Sequence, residues 1–106
     1  VNSGAPGNQG AGLATNKQAK TDWSMNHPIL LDESGKVGRE YGATSTPTIV
    51  VIDSAGVVRY KGALDDAPMG EGGAGKRYAN DALAAVTTGG KVEVASTKPY
   101  GCSVKY

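Results

Sequence analysis

The apolar residues of this chain fall into short runs that are separated by glycine-rich and polar stretches. Thr48 to Ile52 ends in four consecutive β-branched aliphatic residues, a pattern that predicts a strand buried on both faces. Asp53 to Gly56 has the composition of a tight turn, in which Gly56 supplies the positive φ. Val57 to Lys61 alternates more, as the outer strand of a hairpin does. A β-hairpin is therefore predicted near the middle of the chain.

Helical spacing first appears between Leu13 and Met25, where Ala19 and Trp23 lie four residues apart on one apolar face. This helix is expected to end before His27-Pro28, because the residue that precedes a proline avoids the α region. The segment is predicted to be an amphipathic helix.

A short buried strand is predicted next, at Ile29 to Leu31. A second helix is expected to follow, in which Val37 and Tyr41 share one face. Either Asp32 or Ser34 can cap its first turn, because both side chains can accept hydrogen bonds from free backbone N–H groups.

A third helix is predicted over Lys76 to Thr88, where Tyr78, Ala82 and Val86 recur at a spacing of four. A short strand at Val92 to Val94 is expected after it. The order of elements is helix, strand, helix, strand, turn, strand, helix and tail, which predicts an α/β fold.

The 106 residues are the length of one domain. Two glycine-rich segments, residues 2–12 and 65–75, are predicted to be loops, and residues 91–106 form a C-terminal tail. Val1 to Ser3 resembles the last residues of a strand, so we expect the chain to be a fragment, a processed product or a piece of something longer.

The composition argues against several functional classes but does not select one. The net charge of +1 gives no electrostatic attraction toward nucleic acid, an anionic membrane or an acidic substrate. No apolar run approaches the roughly 20 residues that a membrane-spanning helix needs. Cys102 is the one cysteine, so an internal disulfide is excluded and cysteine usage leaves the compartment undecided.

Residues Gly70 to Lys76 spell GEGGAGK, which matches parts of two phosphate-binding patterns. A phosphate-binding loop requires a strand that runs directly into the loop. Here Asp65, Asp66 and Pro68 intervene, and Arg77 replaces the metal-binding serine or threonine. We therefore interpret the segment as a flexible insertion, with nucleotide binding as a weak alternative.

The paired acidic residues Asp32-Glu33 and Asp65-Asp66 could serve acid–base chemistry or bind a divalent cation. Adjacent carboxylates on loops are usually solvated, and Asp32 has a helix to cap. His27 is the single histidine, so neither a zinc site nor a catalytic triad is predicted. No cofactor and no metal site is expected.

Thr46-Pro47 opens the central predicted strand. Proline has no amide to donate to a sheet, so it belongs at the first residue or the edge of a strand. The Thr46-Pro47 bond is a candidate cis peptide, and the pair is either a substrate-binding element or simply the start of a strand.

Four segments of the chain, which occur in the order and spacing of the family, resemble the thioredoxin-like redoxin family. This family includes peroxiredoxin-like proteins of the alkyl hydroperoxide reductase and thiol-specific antioxidant group. The matching segments are the Thr-Pro hairpin, PILLDESGKVG at 28–38, GALDDAP at 62–68 and TKPYGCSVKY at 97–106. The resemblance covers the C-terminal two thirds of such a domain. It implies a three-layer α/β sandwich that lacks, in this chain, the first strand and the cysteine-bearing helix.

The resemblance also implies functions for particular residues. The family's nucleophilic cysteine would lie N-terminal of Val1. Thr46 and Pro47, with Ser45, would form a substrate-positioning loop whose backbone can pair with a thiol or peptide substrate. Cys102 would be a resolving or reactive thiol, which a mobile tail makes accessible, and the substrate would be a thiol or disulfide protein or a peroxide.

Two further expectations follow from this comparison. Ser45 stands where some relatives have a cysteine, so the chain could instead be a non-catalytic binding module that has lost redox chemistry. The absent central strand would leave an open sheet edge, through which a homodimer could form.

Overall fold

The computed structural model describes residues 1–68 and 75–106. These form two compact units, the first of residues 1–44 with 103–106 and the second of residues 45–102. The described residues contain three α-helices and four short strands, which confirms the predicted α/β class. The two units are described separately below.

The second unit is built on a β-hairpin. Strand β1 (Ser45–Thr46) is followed by β2 (Ile49–Ile52), which pairs antiparallel with β3 (Val58–Gly62). Val51 lies opposite Tyr60, and the register shifts immediately after this pair.

The predicted hairpin turn at Asp53 to Gly56 is confirmed, and a carboxylate organises it. Asp53 accepts hydrogen bonds from the backbone N–H groups of Ala55 at 2.9 Å and Val57 at 3.0 Å. The bond from Val57 holds the pKa of the Asp53 carboxyl below its ordinary value, and Arg59 adds an ion pair at 3.2 Å. Gly56 adopts φ +79°, the left-handed conformation that the turn requires.

Helix α3 (Tyr78–Thr87) covers the hairpin and completes the core of this unit. Ala82 is buried with Val51, Tyr60 and Val92, and Tyr78 and Val86 pack against this cluster. The predicted helical face is therefore confirmed, because its three residues meet the same core.

Two strand predictions for the second unit are wrong. Strand β2 is not buried on both faces, because Val51 is buried and Val50 is half-buried, whereas the Ile52 side chain is 43% exposed. Residues 92–94 form no strand. The segment contributes the Val92 side chain to the core, and Lys61 instead forms a parallel bridge with Ser96.

The first unit contains helix α1 (Leu13–Asp22) and the short helix α2 (Lys36–Glu40). Helix α1 ends three residues earlier than predicted, and none of its residues is buried. Trp23, expected on its apolar face, is 75% exposed.

The prediction of a buried strand at 29–31 is also wrong. Leu31 forms a single parallel bridge with Asn2, supported by backbone hydrogen bonds of 2.8 Å from Asn2 N–H to Leu30 and from Asp32 N–H to Asn2. Leu30 is 59% exposed. An apolar run becomes a buried strand only where other segments cover it, and the described residues cover only part of this one, since Ile29 is half-buried and Leu31 is exposed.

Asp32 is the buried carboxylate of the first unit. It accepts hydrogen bonds from the backbone N–H groups of Gly38 at 2.9 Å and Val37 at 3.2 Å, and from the Ser3 hydroxyl at 2.7 Å. The bond from Gly38 lowers the pKa of Asp32, although burial acts in the opposite direction. Both predicted caps are confirmed, since the Ser34 hydroxyl also accepts the backbone N–H of Lys36 at 3.3 Å.

Tyr106 anchors the end of the chain in the first unit. Its ring centroid lies 4.4 Å from the Arg39 guanidinium carbon, a cation–π contact, and its hydroxyl donates to the Ala43 carbonyl. Gly35 and Gly38 leave room for the ring, since a Cβ at either position would collide with it. The last residue of the tail is thus packed against the first unit.

Candidate functional site

The predicted substrate loop lies in the second unit, between β1 and β2. The Thr46-Pro47 peptide bond is cis, as the sequence suggested. The Thr48 hydroxyl donates to the Ser45 carbonyl at 2.6 Å and closes the loop. The Thr46 and Pro47 side chains are exposed, and Ser45 is half-buried.

Cys102 is placed beside this loop by a short strand that the sequence did not predict. Strand β4 (Cys102–Ser103) pairs with β1, so Cys102 lies on the neighbouring strand to Ser45 and Thr46. Its thiol is free and exposed. The four predicted site residues, three near the middle of the sequence and one near its end, are therefore brought together at one end of the second unit.

Gly101 makes the closest backbone approach in this site. A Cβ at this position would collide with the Thr46 carbonyl and would lie 3.4 Å from the Pro47 ring. Gly101 also has φ +129°, which side-chain-bearing residues rarely adopt. The structure therefore makes Gly101 a close backbone neighbour of Thr46.

A buried polar cluster fixes the segment that leads to Cys102. The fully buried Tyr60 hydroxyl donates to the Ala63 carbonyl at 2.5 Å, so the Thr97 hydroxyl, 2.6 Å away, donates to Tyr60. Thr97 in turn accepts the Ala63 N–H at 2.9 Å. Burial raises the pKa of Tyr60, which keeps its hydroxyl protonated as a donor. Sequence reasoning missed Thr97, since a lone threonine in a tail carries no local signal.

Asp65 and Tyr100 form a second attachment of the same segment. The Tyr100 hydroxyl donates to the Asp65 carboxylate, which also accepts the Ala67 N–H at 2.9 Å. The Tyr100 bond lowers the pKa of Asp65, and the same bond raises the pKa of Tyr100. This carboxylate is thus engaged in structural hydrogen bonds, as is Asp66, which accepts the backbone N–H of Lys76 at 3.0 Å.

The other sequence candidates lie away from this site or beyond the described residues. Most of the GEGGAGK segment, residues 70–74, lies outside them. His27 is exposed, and its Nδ1 lies 3.1 Å from the Pro28 carbonyl. Within residues 1–68 and 75–106, no group of three His, Cys, Asp or Glu side chains could hold a metal ion.

A shallow cavity of about 220 Å³ lies in the first unit, lined in part by Val1, Trp23, Met25 and Ile29. It contains none of the predicted site residues. In the part of the chain that the structure describes, no helix is long and apolar enough to cross a membrane.

Comparison with known proteins gives a structural neighbour and no assigned activity. No protein-family model matches the sequence, and no curated protein matches it. The chain is similar to the crystal structure of a hypothetical protein from Sinorhizobium meliloti 1021, with a TM-score of 0.85 and 26% sequence identity. The match covers 99% of this chain and 58% of that one, so the chain spans less than two thirds of its neighbour's length.

Proposed function

We propose that this chain is part of a thiol-disulfide oxidoreductase or peroxiredoxin-like antioxidant protein with a thioredoxin-like fold. The chain contributes the Thr46-Pro47 substrate loop and the Cys102 thiol. The observation that carries the proposal is the pairing of β1 with β4, which puts Cys102 next to Ser45 and Thr46.

The arrangement of the elements also supports the thioredoxin-like part of the proposal. The Thr-Pro loop leads into the β2–β3 hairpin, and helix α3 packs on that hairpin. In the first unit, the parallel bridge between Asn2 and Leu31 suits Val1 to Ser3 as the end of a strand beside residues 29–31. The proposed three-layer sandwich would be completed by a strand and a cysteine-bearing helix that this chain does not contain.

The chemistry requires a second sulfur, because one thiol cannot complete a dithiol cycle. In the proposed reaction, a nucleophilic thiolate attacks a hydroperoxide and becomes a sulfenic acid, with release of an alcohol or water. The Cys102 thiol then condenses with the sulfenic acid, which forms a disulfide and releases water. With a disulfide substrate, Cys102 would instead attack the mixed disulfide. An external dithiol would reduce the product in both cases.

The test begins with the coding sequence immediately upstream of the Val1 codon in the natural gene. An in-frame strand followed by a cysteine at the start of a helix is expected. The natural protein should form a disulfide to Cys102 after one equivalent of hydrogen peroxide, detected by peptide mass spectrometry without reduction.

Matched variants identify the contribution of Cys102. Cys102→Ser should stop at the sulfenic acid, trapped as a dimedone adduct, whereas Ser103→Ala on the same strand should still form the disulfide. The proposal is wrong if Cys102 stays reduced in the natural protein. The claim that the 106-residue chain lacks the catalytic centre is wrong if that chain alone consumes peroxide at enzymatic rates.

The rival proposal is a non-catalytic thioredoxin-like binding module. The single cysteine and Ser45, at a position where some relatives carry a cysteine, favour it. Slow alkylation of Cys102 by iodoacetamide in the folded chain, compared with the urea-unfolded chain, would support the module. Rapid alkylation of the folded chain would support the redox proposal, because the thiolate is the reactive form.

A further inference from the structure

We propose that Tyr100 and Asp65 are positioning residues for Cys102, because their hydrogen bond fixes the segment that carries the thiol and holds the thiol beside β1. This inference rests on the proposed function, since that function makes Cys102 a reacting thiol. It assigns the two residues a role in disulfide formation that acts through Cys102.

The segment from Ala95 to Cys102 lies within the second unit and runs from strand β3 to strand β1. At its start, the Lys61 N–H donates to the Ala95 carbonyl at 3.0 Å, and the Thr97 N–H donates to the Lys61 carbonyl at 3.2 Å. At its end, Cys102 pairs with β1. The freedom of the thiol therefore depends on how well the residues between these two ends are fixed.

Backbone pairing alone holds the Cys102 end weakly. Strand β4 has two residues, and of these Cys102 belongs to the second unit. Gly101 precedes Cys102, with φ +129° and a backbone that approaches the Thr46 carbonyl. Because glycine has the greatest backbone freedom of all residues, an attachment just before Gly101 is what restricts the position of Cys102.

Tyr100 supplies this attachment, two residues before the thiol. Its hydroxyl donates to the Asp65 carboxylate, and both side chains are half-buried. The bond lowers the pKa of the Asp65 carboxyl, which is therefore ionised at neutral pH. Hydrogen bonds to an ionised acceptor are roughly twice as strong as those between neutral groups.

The acceptor of this bond is itself held in the second unit. Asp65 accepts the Ala67 N–H at 2.9 Å. On the preceding side, the Leu64 carbonyl accepts the N–H of Ala79, a buried residue of helix α3, at 3.2 Å. The bond to Asp65 therefore attaches Tyr100 to the packed part of this unit.

Positioning and intrinsic reactivity of a thiol can be measured separately. Two thiols of one chain form a disulfide in proportion to their effective concentration, and a displacement of about 1 Å can cost roughly a hundredfold in the rate of an intramolecular reaction. Alkylation by iodoacetamide depends instead on the exposure and the thiolate fraction of Cys102. A positioning pair should change the first quantity and leave the second unchanged.

The experiment introduces a second thiol on β1 of this chain, by Thr46→Cys and, in a separate variant, by Ser45→Cys. Neighbouring residues of a strand point to opposite faces, so one of the two lies on the face of Cys102. In glutathione buffer, the two thiols lose their hydrogens and form the S–S bond, while oxidised glutathione is reduced to two molecules of glutathione. The equilibrium constant, measured by mass spectrometry after acid quenching, is the effective concentration of the two thiols.

In the variant that forms the disulfide more readily, adding Tyr100→Phe should lower the effective concentration about tenfold, because it removes the hydroxyl and keeps the ring. Asp65→Ala should have the same effect. Asp65→Asn should restore part of the loss, because the amide oxygen still accepts the Tyr100 hydroxyl. Tyr78→Phe, which removes a hydroxyl from helix α3, is the matched control and should have no effect.

In chains with the natural residues in β1, the rate constant for alkylation of Cys102 should be the same with and without Tyr100→Phe. An effective concentration that Tyr100→Phe leaves unchanged would overturn the inference, as would an equal fall in Tyr78→Phe. It would also be overturned by a disulfide in neither engineered chain, or by an alkylation rate that falls in step with the effective concentration. Should Tyr100→Phe fail to fold, the comparison of Asp65→Ala with Asp65→Asn tests the same bond.

These outcomes are separate from those for the redox proposal, because the introduced thiol takes the place of the second sulfur. A natural protein in which Cys102 stays reduced would remove the redox function and leave the positioning result. Conversely, an unchanged effective concentration would remove the positioning role and leave a natural disulfide intact. Where both hold, Tyr100→Phe should slow disulfide formation by peroxide in the natural protein by the same factor.

Discussion

Each of the two units of this chain, taken by itself, is stabilised by a different kind of interaction. In the second unit, Val51, Tyr60, Ala82 and Val92 form a buried apolar cluster. In the first, the buried residues are Asp32, Gly35 and Gly38, while large side chains such as Trp23 are exposed. One unit therefore depends on apolar burial, and the other on hydrogen bonds around one carboxylate and one tyrosine.

The two kinds of interaction respond differently to pH and to substitutions. Apolar burial contributes roughly 25 cal/mol per Å² and tolerates the loss of any one polar contact. A buried carboxylate depends on each of its donors, and an unsatisfied one is costly. We expect the first unit to be sensitive to pH and to single polar substitutions, and the second to changes in side-chain volume.

The largest effect is expected at Tyr60, the fully buried residue of the core. Tyr60→Ala should lower the free energy of unfolding by about 3–5 kcal/mol, because it leaves a cavity under α3. Tyr60→Phe retains the ring and should lose only about 1 kcal/mol, for the hydrogen bonds to Ala63 and Thr97. Urea unfolding followed by circular dichroism measures both values. Equal losses in the two variants would show that the hydroxyl, and not the ring, stabilises this unit.

The next effect is the acid sensitivity of the first unit through Asp32. The pKa of Asp32 is lowered in the folded chain, so its stabilising contribution is present above the unfolded pKa of roughly 3.9. That contribution should be lost as the pH falls from that value through the lower folded pKa.

Amide exchange at Val37 and Gly38, measured by NMR as a function of pH, tests this expectation. The protection of these amides, which is their exchange rate relative to the intrinsic rate at the same pH, should fall on acidification, and Asp32→Asn should remove this pH dependence. The exposed neighbour supplies the control, Glu33→Gln, which should leave the exchange profile unchanged. A profile that Asp32→Asn leaves intact would contradict the assignment.

A smaller effect concerns self-association. We propose that the isolated chain forms a homodimer through the open edge at residues 28–31, where Leu30 is 59% exposed. Leu30→Ser should weaken association in sedimentation velocity, whereas Val57→Ser, at an exposed position of the second unit, should not. A monomer at high protein concentration would exclude the dimer.

The smallest effect is expected on the surface of α2. Lys36 and Glu40 form an exposed ion pair at 3.9 Å with the spacing of one helical turn. Glu40→Gln should change the free energy of unfolding by less than about 0.5 kcal/mol, because exposed pairs of this kind are weak. A larger loss in urea unfolding would mean that polar contacts in the first unit are coupled beyond the Asp32 cluster.

The features that depend on neighbouring residues were predicted best from the sequence. The turn at Asp53 to Gly56 and the face of α3 follow from the residues themselves, because turn geometry and helical period depend on near neighbours. The Ile29 to Leu31 run was misjudged, since its apolar composition says nothing about which segments cover it. The same reason explains Ile52, whose exposure depends on what packs against the hairpin.

The sequence by itself determined the α/β class, the place of the Thr46-Pro47 loop and the candidate residues of the site. Only the tertiary structure decided that Cys102 lies beside Thr46, that Gly101 closes on the same carbonyl, and that Tyr106 occupies the space left by two glycines. These relations join residues far apart in the chain. Pairing between distant segments depends on how the whole chain folds. A strand of two residues is too short to show the alternating pattern from which a strand is predicted.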